Sequence, residues 1–521
     1  MDRDAVGAVA PHGGAPHAAA PRTAALVAGA IAAATALRFL LAGSLGLGVD
    51  ESYAVSVSRA FALSYFDHPP LSFWLAGAFA RLAGSEHALI VRAPFILLGA
   101  GSAWLLFRLG ARLFGERAGA LGALFFLLAP FFTVAAGSWV LPDGPLDFFL
   151  LAAALALLTP LFEPHRATAA RGWLAAGVAL GGALLSKYHA FLFGAGLLLY
   201  LFTEPGARRW LRRPAPWLAA AIALACFAPV VVWNAHHDWV SFRFQLSRGA
   251  GSHGGALASL LQALGGQAGY LTPWIWVPLV TVFAGALARG PRDARAWFLA
   301  CLALVPVALF TLAALRGDPG LPHWPMPGYL FLFPVLGAAA DRALVRRPVL
   351  VRGVISAAAT ATLLLLGVAA SHVATRWIAR AEPRWFARGD PAFEMLDWRD
   401  LRAFADAHAL FADPATFVAP VNWAQGGKAA YTLGPAVPVV VLNERPHEFL
   451  YLRDPAASIG HDAVIVMRAD PRADSTAAAY APYFRSIEPL GRVAITLRGR
   501  PAFDLFVFRA RGFRRTYPTA Q

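Results

Sequence analysis

The chain has 521 residues, of which 58% are hydrophobic and only 14% are charged, and its mean hydropathy is +0.55. This composition is too apolar for an ordinary soluble domain and predicts a polytopic membrane protein. The formal net charge of +15 would also suit a nucleic-acid-binding protein, but most arginines lie in short links between apolar runs, which favours membrane topology.

The N-terminal residues 1–21 are rich in Ala, Pro and His and resemble the start of a signal peptide. The apolar run from Ala24 is too long for a signal peptide and contains Arg38, so we interpret it as a spanning helix that follows a cytoplasmic tail. Cys226 and Cys301 both lie inside apolar runs, so no structural disulfide is predicted.

A spanning helix needs about 20 mostly apolar residues. Eleven runs come close to this length, at residues 22–46, 89–111, 117–137, 143–162, 172–187, 189–204, 215–233, 267–288, 296–315, 327–345 and 350–373. If the tail is cytoplasmic, the links on its side of the membrane hold most of the loop arginines, as the positive-inside rule requires. The opposite links and the C-terminal residues then lie on the outer side.

The first loop, residues 49–88, is the longest link between early helices and is itself apolar. It predicts two interfacial helices, over residues 51–65 and 70–83. Their apolar positions are Tyr53, Val57, Phe61 and Tyr65 in the first, and Phe73, Trp74, Phe79 and Leu82 in the second. Such helices would hold neighbouring acids at headgroup depth.

Residues 376–521 regain charge and contain short β-rich runs between helix-like segments. The runs are Thr416–Pro420, Val437–Leu442, Ala463–Met467 and Asp504–Phe508. They predict a small soluble α/β domain on the outer side. The fold class is therefore an α-helical polytopic membrane domain over residues 22–375, followed by this C-terminal domain.

Asp50 and Glu51 directly follow the first spanning run. Acids after a spanning helix are often solvated loop residues. A carboxylate at the rim of an apolar cavity can, however, have its pKa tuned for service as a general base, and an adjacent acid can orient it or bind substrate hydroxyls.

Asp67 and His68 precede Pro69 and Pro70. A helix cap and a proline turn explain Asp67 but not His68. A histidine beside an acid can bind a phosphate oxygen when protonated or a metal when neutral. No metal-ligand spacing accompanies it, so no cofactor is predicted, and a divalent metal stays an open alternative.

Asp143 begins the fourth run, where helix capping competes with a substrate role. Asp147 lies one turn deeper, where an acid costs about 3 kcal/mol on insertion scales, so it is expected to face the protein interior. Lys187 separates two apolar runs. It could snorkel to the interface, but an anionic lipid phosphate that enters from the membrane needs a cation at this depth, which favours the functional interpretation.

Two further outer loops carry histidines. The loop from Trp233 to Gly255 contains His236, His237 and Asp238 together with Arg243 and Arg248. The Pro-His-Trp-Pro turn contains His323. An aromatic belt at the interface or a rigid turn explains these loops equally well.

The chain resembles the membrane glycosyltransferases that use a polyprenyl-phosphate sugar as donor, the GT-C superfamily. It is most similar to the bacterial families 39 and 83, relatives of protein O-mannosyltransferases and the lipid A aminoarabinose transferase. The resemblance covers the membrane part and rests on the Asp-Glu pair, YFDHPPL, LPDGPL, SKY, WNAHHDWVSFRFQ and PHWP, in that order.

The resemblance implies roles for individual residues. Asp50 matches the proposed catalytic base, with Glu51 beside it, and Lys187 matches the lysine at the helix end. Asp67 and His68 match an acid and a basic residue before the Pro-Pro pair, where the aminoarabinose enzymes resemble FEKPP. The predicted donor-phosphate and substrate-binding residues are Asp67, His68, Lys187, Tyr53, Asp143 and His323.

These residues together predict an inverting glycosyltransferase of the bacterial inner membrane. Its active site and C-terminal domain would face the periplasm, and it would move a sugar from a polyprenyl-phosphate donor to a hydroxyl of a lipid, glycan or protein of the envelope. No nucleic-acid partner is expected. The alternatives are a transporter or flippase of glycolipids and a non-enzymatic assembly protein.

Overall fold

The structure is a computed structural model, and it describes residues 20–248, 255–386, 389–468 and 478–520. Almost all of the predicted cytoplasmic tail over residues 1–21 lies outside these ranges. The last residues before Gly255 in the histidine-rich loop also lie outside them.

Helices form most of the described chain. They are α1 (Ala20–Ser44), α2 (Val49–Val57), α3 (Leu71–Ala83), α4 (Ala88–Phe114), α5 (Glu116–Leu128), α6 (Ala136–Ser138), α7 (Asp143–Phe162), α8 (Ala169–Ser186), α9 (Ala190–Thr203), α10 (Pro214–Ala235), α11 (Val240–Ser247), α12 (Ala256–Leu271), α13 (Pro273–Arg289), α14 (Ala294–Leu315), α15 (Met326–Tyr329), α16 (Phe333–Arg346), α17 (Pro348–Thr375), α18 (Trp377–Ala381), α19 (Arg399–Ala407), α20 (Trp423–Leu433) and α21 (Phe449–Leu452).

All eleven predicted apolar runs are helical, which confirms the multi-pass helical fold. Within the described residues, nine helices are long and apolar enough to cross a membrane. The run at 117–137 is broken: α5 and the segment Phe131–Ser138 meet at 84°, directly after Pro130, which cannot donate a backbone hydrogen bond. The run at 189–204 corresponds to α9, which has only 14 residues. By length and composition alone, nine helices of the described residues qualify as spans, or ten if the bent pair crosses as one, and α9 is shorter than a usual span.

The first loop contains two short helices, as predicted, but α2 ends at Val57 and not at residue 65. Tyr53 and Val57, expected on a lipid-facing surface, are only 5% and 0% exposed. The helix α20 packs against α2: Gly427 of α20 lies so close that a Cβ added to it would be 2.7 Å from the backbone nitrogen of Tyr53. Only glycine permits this approach of the two helices.

The C-terminal domain is built on one four-stranded sheet in the order β1-β2-β4-β3. Its strands are β1 (Phe417–Pro420), β2 (Ala463–Arg468), β3 (Phe484–Leu497) and β4 (Arg500–Phe513). β1 and β2 are parallel and the other two pairs are antiparallel; Ile465 of β2 lies opposite Phe508 of β4.

Three of the four predicted strand runs lie in the sheet. The fourth, Val437–Leu442, runs beside β1 without forming a regular strand. Val439 pairs with Val418 in an isolated bridge, and backbone hydrogen bonds join Pro438 and Val440 to Val418 and Leu442 to Pro420. The long edge strand β3 was not predicted. It contains Pro489 and Gly491, which favour a turn in sequence but form a bulge in the structure.

The first loop and the C-terminal domain share a hydrophobic core. Tyr53 and Phe73 of the loop pack in one cluster with Ala430, Val441 and Phe449 of the domain. The domain therefore sits directly on the segment that carries the predicted acids.

Candidate functional site

Asp50 lies in the first turn of α2, one residue after the helix begins. The residue is exposed to solvent, yet protein surrounds much of its carboxyl group. Burial raises the pKa of the Asp50 carboxyl to about 6, and the negative charges of Glu394, Asp67, Glu51 and Asp143 add to this effect. An accessible carboxylate with such a pKa suits a general base near neutral pH.

Glu51 points the other way and is only 1% exposed. Its carboxylate accepts hydrogen bonds from Nε and Nη2 of Arg92 at 2.7 Å and 2.5 Å. It also accepts hydrogen bonds from the backbone N–H groups of Gly48 and Val140 at 2.8 Å and 3.1 Å. The Gly48 bond is a side-chain cap of α2. With these partners, Glu51 holds the helix that carries Asp50 and has little capacity left for a substrate.

Arg92 is a buried arginine of α4, 1% exposed. Besides the Glu51 carboxylate, it donates to the backbone carbonyls of Ala42, Leu45 and Gly46 at 3.1, 3.0 and 2.7 Å. These carbonyls lie at the end of α1, where helix carbonyls have no partner within the helix. The guanidinium therefore joins α1, α2 and α4 at one point.

Asp67 is 8% exposed and both of its carboxylate oxygens are engaged. Oδ2 accepts the hydroxyl of Tyr53, and Oδ1 lies 2.5 Å from Nδ1 of His447. Burial raises the pKa of Asp67, but the contacts with His447 and Tyr53 outweigh it, so the pKa lies below its usual value. Asp67 is thus an anion that belongs to a buried network.

His68 follows Asp67 in the chain and lies within reach of the positive charges of Lys187 and Arg248. Burial lowers the pKa of His68 to about 3, and the positive charge of Lys187 acts in the same direction. The imidazole is therefore neutral at physiological pH. Its Nδ1 atom is buried and has no hydrogen-bond partner among the described residues.

Lys187 and Asp143 form a buried ion pair. Nζ of Lys187 lies 2.8 Å from Oδ1 of Asp143, and the two side chains are 4% and 7% exposed. Lys187 follows the last residue of α8, and Asp143 begins α7. One turn deeper, Asp147 is 2% exposed, and its Oδ2 has no partner in the part of the chain that the structure describes.

His323 and Arg248 complete this side of the cluster. Burial lowers the pKa of His323 to about 4, with Lys187 the next contributor, so this ring is also neutral. Burial lowers the pKa of Arg248 as well, while the charges of Asp67 and Asp50 oppose it. Arg248 therefore lies near both acids, and it also stacks over Trp324 at 5.2 Å.

The structure brings all eight predicted site residues into two adjoining groups. Asp50, Glu51, Tyr53 and Asp67 form the first group, in the first loop. The second group surrounds Lys187, which pairs with Asp143 and whose charge acts on the neutral rings of His68 and His323. His236, His237 and Asp238 are not part of either group. His237 stacks on Trp233 at 3.9 Å, and the other two side chains are exposed.

Metal binding has no support in the described residues, where no group of three or more His, Cys, Asp or Glu side chains is arranged to hold an ion.

Several site residues were missed from the sequence. Arg92 had a signal, because a charged residue inside a spanning run usually has a function. His447, Glu448 and Lys428 had none, since they belong to a domain more than 300 residues away from the first loop in the sequence. Lys428 is 3% exposed and donates to the backbone carbonyls of Leu47 and Leu396.

Comparisons with known proteins agree with the resemblance. Residues 67–233 match the family described as dolichyl-phosphate-mannose-protein mannosyltransferase. The lipid A galacturonosyltransferase RgtD of Rhizobium johnstonii is 28% identical over 268 residues, which are 51% of this chain and 55% of that protein. The chain thus spans about half the length of this curated relative.

Two crystal structures of ArnT from Cupriavidus metallidurans share the fold. One is in the apo state and the other is bound to undecaprenyl phosphate, and each has a TM-score of 0.62 and 17% sequence identity. The alignment covers 94% of this chain and 98% of ArnT. The predicted fold class, a bundle of membrane helices with a small C-terminal sheet domain, is therefore confirmed. The match to the mannosyltransferase family and the similarity to RgtD, a galacturonosyltransferase, agree with the resemblance to glycosyltransferases.

Proposed function

We propose that the chain is an inverting glycosyltransferase that moves a sugar from a polyprenyl-phosphate donor to an acceptor hydroxyl. The observation that carries this proposal is Asp50: an accessible carboxylate with a pKa of about 6, on which the charge of Asp143, the buried partner of Lys187, also acts. A base and a cation at one membrane boundary are the two groups that this reaction needs.

In the reaction, Asp50 takes the proton of the acceptor hydroxyl, whose oxygen attacks the anomeric carbon of the sugar. The bond from that carbon to the phosphate oxygen breaks, and the lipid phosphate leaves with the bonding electrons. Glu51 does not take part in the proton transfer, because Arg92 and two backbone N–H groups occupy its carboxylate. It positions Asp50.

The leaving phosphate is stabilised by the second group of site residues, around Lys187. Lys187 and Arg248 supply positive charge, and neutral His68 supplies a hydrogen bond through Nδ1, which has no partner in the described protein. The ArnT structure with undecaprenyl phosphate supports a polyprenyl phosphate as the lipid carrier.

The acceptor is an envelope component on the outer side of the inner membrane. The positive-inside pattern supports this orientation, with residues 22–375 as the catalytic membrane domain and 376–521 as a periplasmic domain. Because RgtD is described as acting on lipid A, a lipid A-type glycolipid is the first acceptor class to test.

Purified protein in lipid vesicles, supplied with a polyprenyl-phosphate sugar labelled in the sugar, provides the test. The wild type is expected to transfer label to a glycolipid acceptor fraction. Asp50→Asn keeps the side-chain size and removes the base, so transfer falls by about 10² to 10⁴. Glu394→Gln is the matched control, because Glu394 is exposed and its charge also acts on Asp50; it should keep most of the turnover.

Movement of the intact labelled lipid between leaflets without transfer would indicate a flippase and contradict the proposal. Near-normal transfer by Asp50→Asn, at equal protein abundance, would remove Asp50 from the role of base.

A further inference from the structure

A segment of the C-terminal domain, residues 446–449, reaches into the first loop. His447 contacts the Asp67 carboxylate at 2.5 Å. The backbone N–H of Glu448 donates to the Tyr53 hydroxyl at 3.0 Å, and the Glu448 carboxylate accepts the N–H of Phe66 at 2.6 Å. Glu448 is only 2% exposed, so this contact is buried in the interior of the protein.

The segment is held rigidly. The His447 ring stacks on Trp423 of α20, with centroids 4.8 Å apart, and meets Phe66 edge-on at 5.4 Å. His447 also adopts a φ of 58°, a left-handed conformation that a non-glycine residue keeps only when its surroundings impose it. These contacts give the imidazole a single direction, toward Asp67.

Asp67, which directly precedes His68 in the chain, is held at three of its atoms. Its side chain is anchored by Tyr53 and His447, and its backbone carbonyl accepts the amide of Gln245 at 2.6 Å. Gln245 belongs to α11, which ends immediately before Arg248. Asp67 therefore links the first loop, the C-terminal domain and α11, the helix that precedes Arg248.

An anion engaged in this way is a poor ligand for a substrate. Both Asp67 oxygens already accept hydrogen bonds in a site from which water is largely excluded, and a phosphate brought against this carboxylate would be repelled. His68 is different, because its Nδ1 is buried and has no hydrogen-bond partner in the part of the chain that the structure describes.

We propose that Tyr53 and His447 are positioning residues that hold Asp67, and that through Asp67 they set the place of His68 at the leaving phosphate of the donor. The C-terminal domain thereby completes the donor site. This inference rests on the proposed function, since it assumes that the donor is carried on a lipid phosphate.

The test compares His447→Leu, which removes the hydrogen bond, with His447→Asn, whose amide N–H lies near the position of Nδ1. His408→Leu is the matched control, because His408 is an exposed histidine of the same domain. Two quantities are measured on the full-length protein: the dissociation constant for undecaprenyl phosphate, and KM and kcat for the labelled donor. Melting temperature in detergent reports folding separately.

The His447→Leu variant is expected to weaken undecaprenyl phosphate binding and to raise the donor KM by about 10- to 100-fold, by analogy with the loss of the partners that orient metal-binding side chains. The Asn variant should recover most of the loss. In an Asp67→Asn background, His447→Leu should add less than about twofold, because residues that act through one group are not additive.

The inference would be overturned if His447→Leu and the His408→Leu control bound undecaprenyl phosphate equally well and had the same donor KM. If the Leu variant does not fold, Tyr53→Phe removes one hydroxyl from the same carboxylate, and normal binding by that variant would overturn it as well. Wild-type protein that binds undecaprenyl phosphate but transfers no sugar would refute the proposed function. The undecaprenyl phosphate affinities of the variants would still test the present inference separately.

Discussion

Loss of Arg92 is predicted to destabilise the protein more than loss of any partly exposed arginine. The change Arg92→Met keeps much of the side-chain length in the membrane helix but removes the charge and all five donated hydrogen bonds. Two of these bonds go to Glu51 and three to backbone carbonyls at the end of α1.

The magnitude follows from the burial of the pair, in which each side chain is 2% exposed. Removing one partner of a buried ion pair leaves an uncompensated charge and costs about 3–5 kcal/mol. Only the N–H groups of Gly48 and Val140 would still bind the Glu51 carboxylate. The loss is a large part of a typical stability of about 5–15 kcal/mol.

Thermal unfolding in detergent ranks the variants. Arg112→Met is the matched control, because the Arg112–Glu163 pair has a similar separation of 2.9 Å but side chains that are 31% and 34% exposed; its loss should cost at most about 1 kcal/mol. The double variant Glu51→Gln/Arg92→Met should be more stable than Arg92→Met, because it no longer buries an unpaired charge.

An unfolding midpoint of Arg92→Met equal to that of the Arg112→Met control would refute this reasoning. So would a double variant less stable than Arg92→Met alone, because the isolated Glu51 charge would then not be the cause of the loss.

Three further predictions concern the reaction and the topology. Because the pKa of Asp50 is raised to about 6 and the base must be deprotonated, kcat/KM should be constant above this value and fall about tenfold per pH unit below it; a profile flat from pH 5 to 8 would contradict the assignment. Lys187→Met should raise donor KM strongly while Lys187→Arg keeps part of the activity, since the charge but not the geometry is preserved; unchanged donor kinetics in the Met variant would leave only the Asp143 ion pair as its role. Reporter fusions at Glu204 and Ala381 should give opposite signals, cytoplasmic and periplasmic, and identical signals would invalidate the proposed orientation.

Much of the membrane architecture could be predicted from the sequence because a spanning backbone has few alternatives. In a lipid environment each N–H and C=O must find a partner within the protein, so a long apolar run is nearly always a helix. The position of Asp50 follows from the same rule, since it comes directly after the end of the first run. Lys187 could be predicted at a helix end for the same reason, although its contact with Asp143 could not.

The roles within the site depended on contacts that sequence spacing does not report. Asp50 and Glu51 are neighbours in the chain, yet Asp50 is exposed and Glu51 contacts a buried arginine 41 residues away. In a helix, adjacent residues point about 100° apart, so the environment of each is decided by what packs on its own side.

By itself, the sequence determined that the long apolar runs are helical and that Asp50 and Glu51 directly follow the first of them, because these features depend on local polarity. Only the tertiary structure decided that Asp67 is joined to His447, 380 residues later in the chain, and that α20 covers the first loop. Such contacts depend on side-chain packing and on exclusion of water by a folded domain, and neither leaves a pattern in a short stretch of residues.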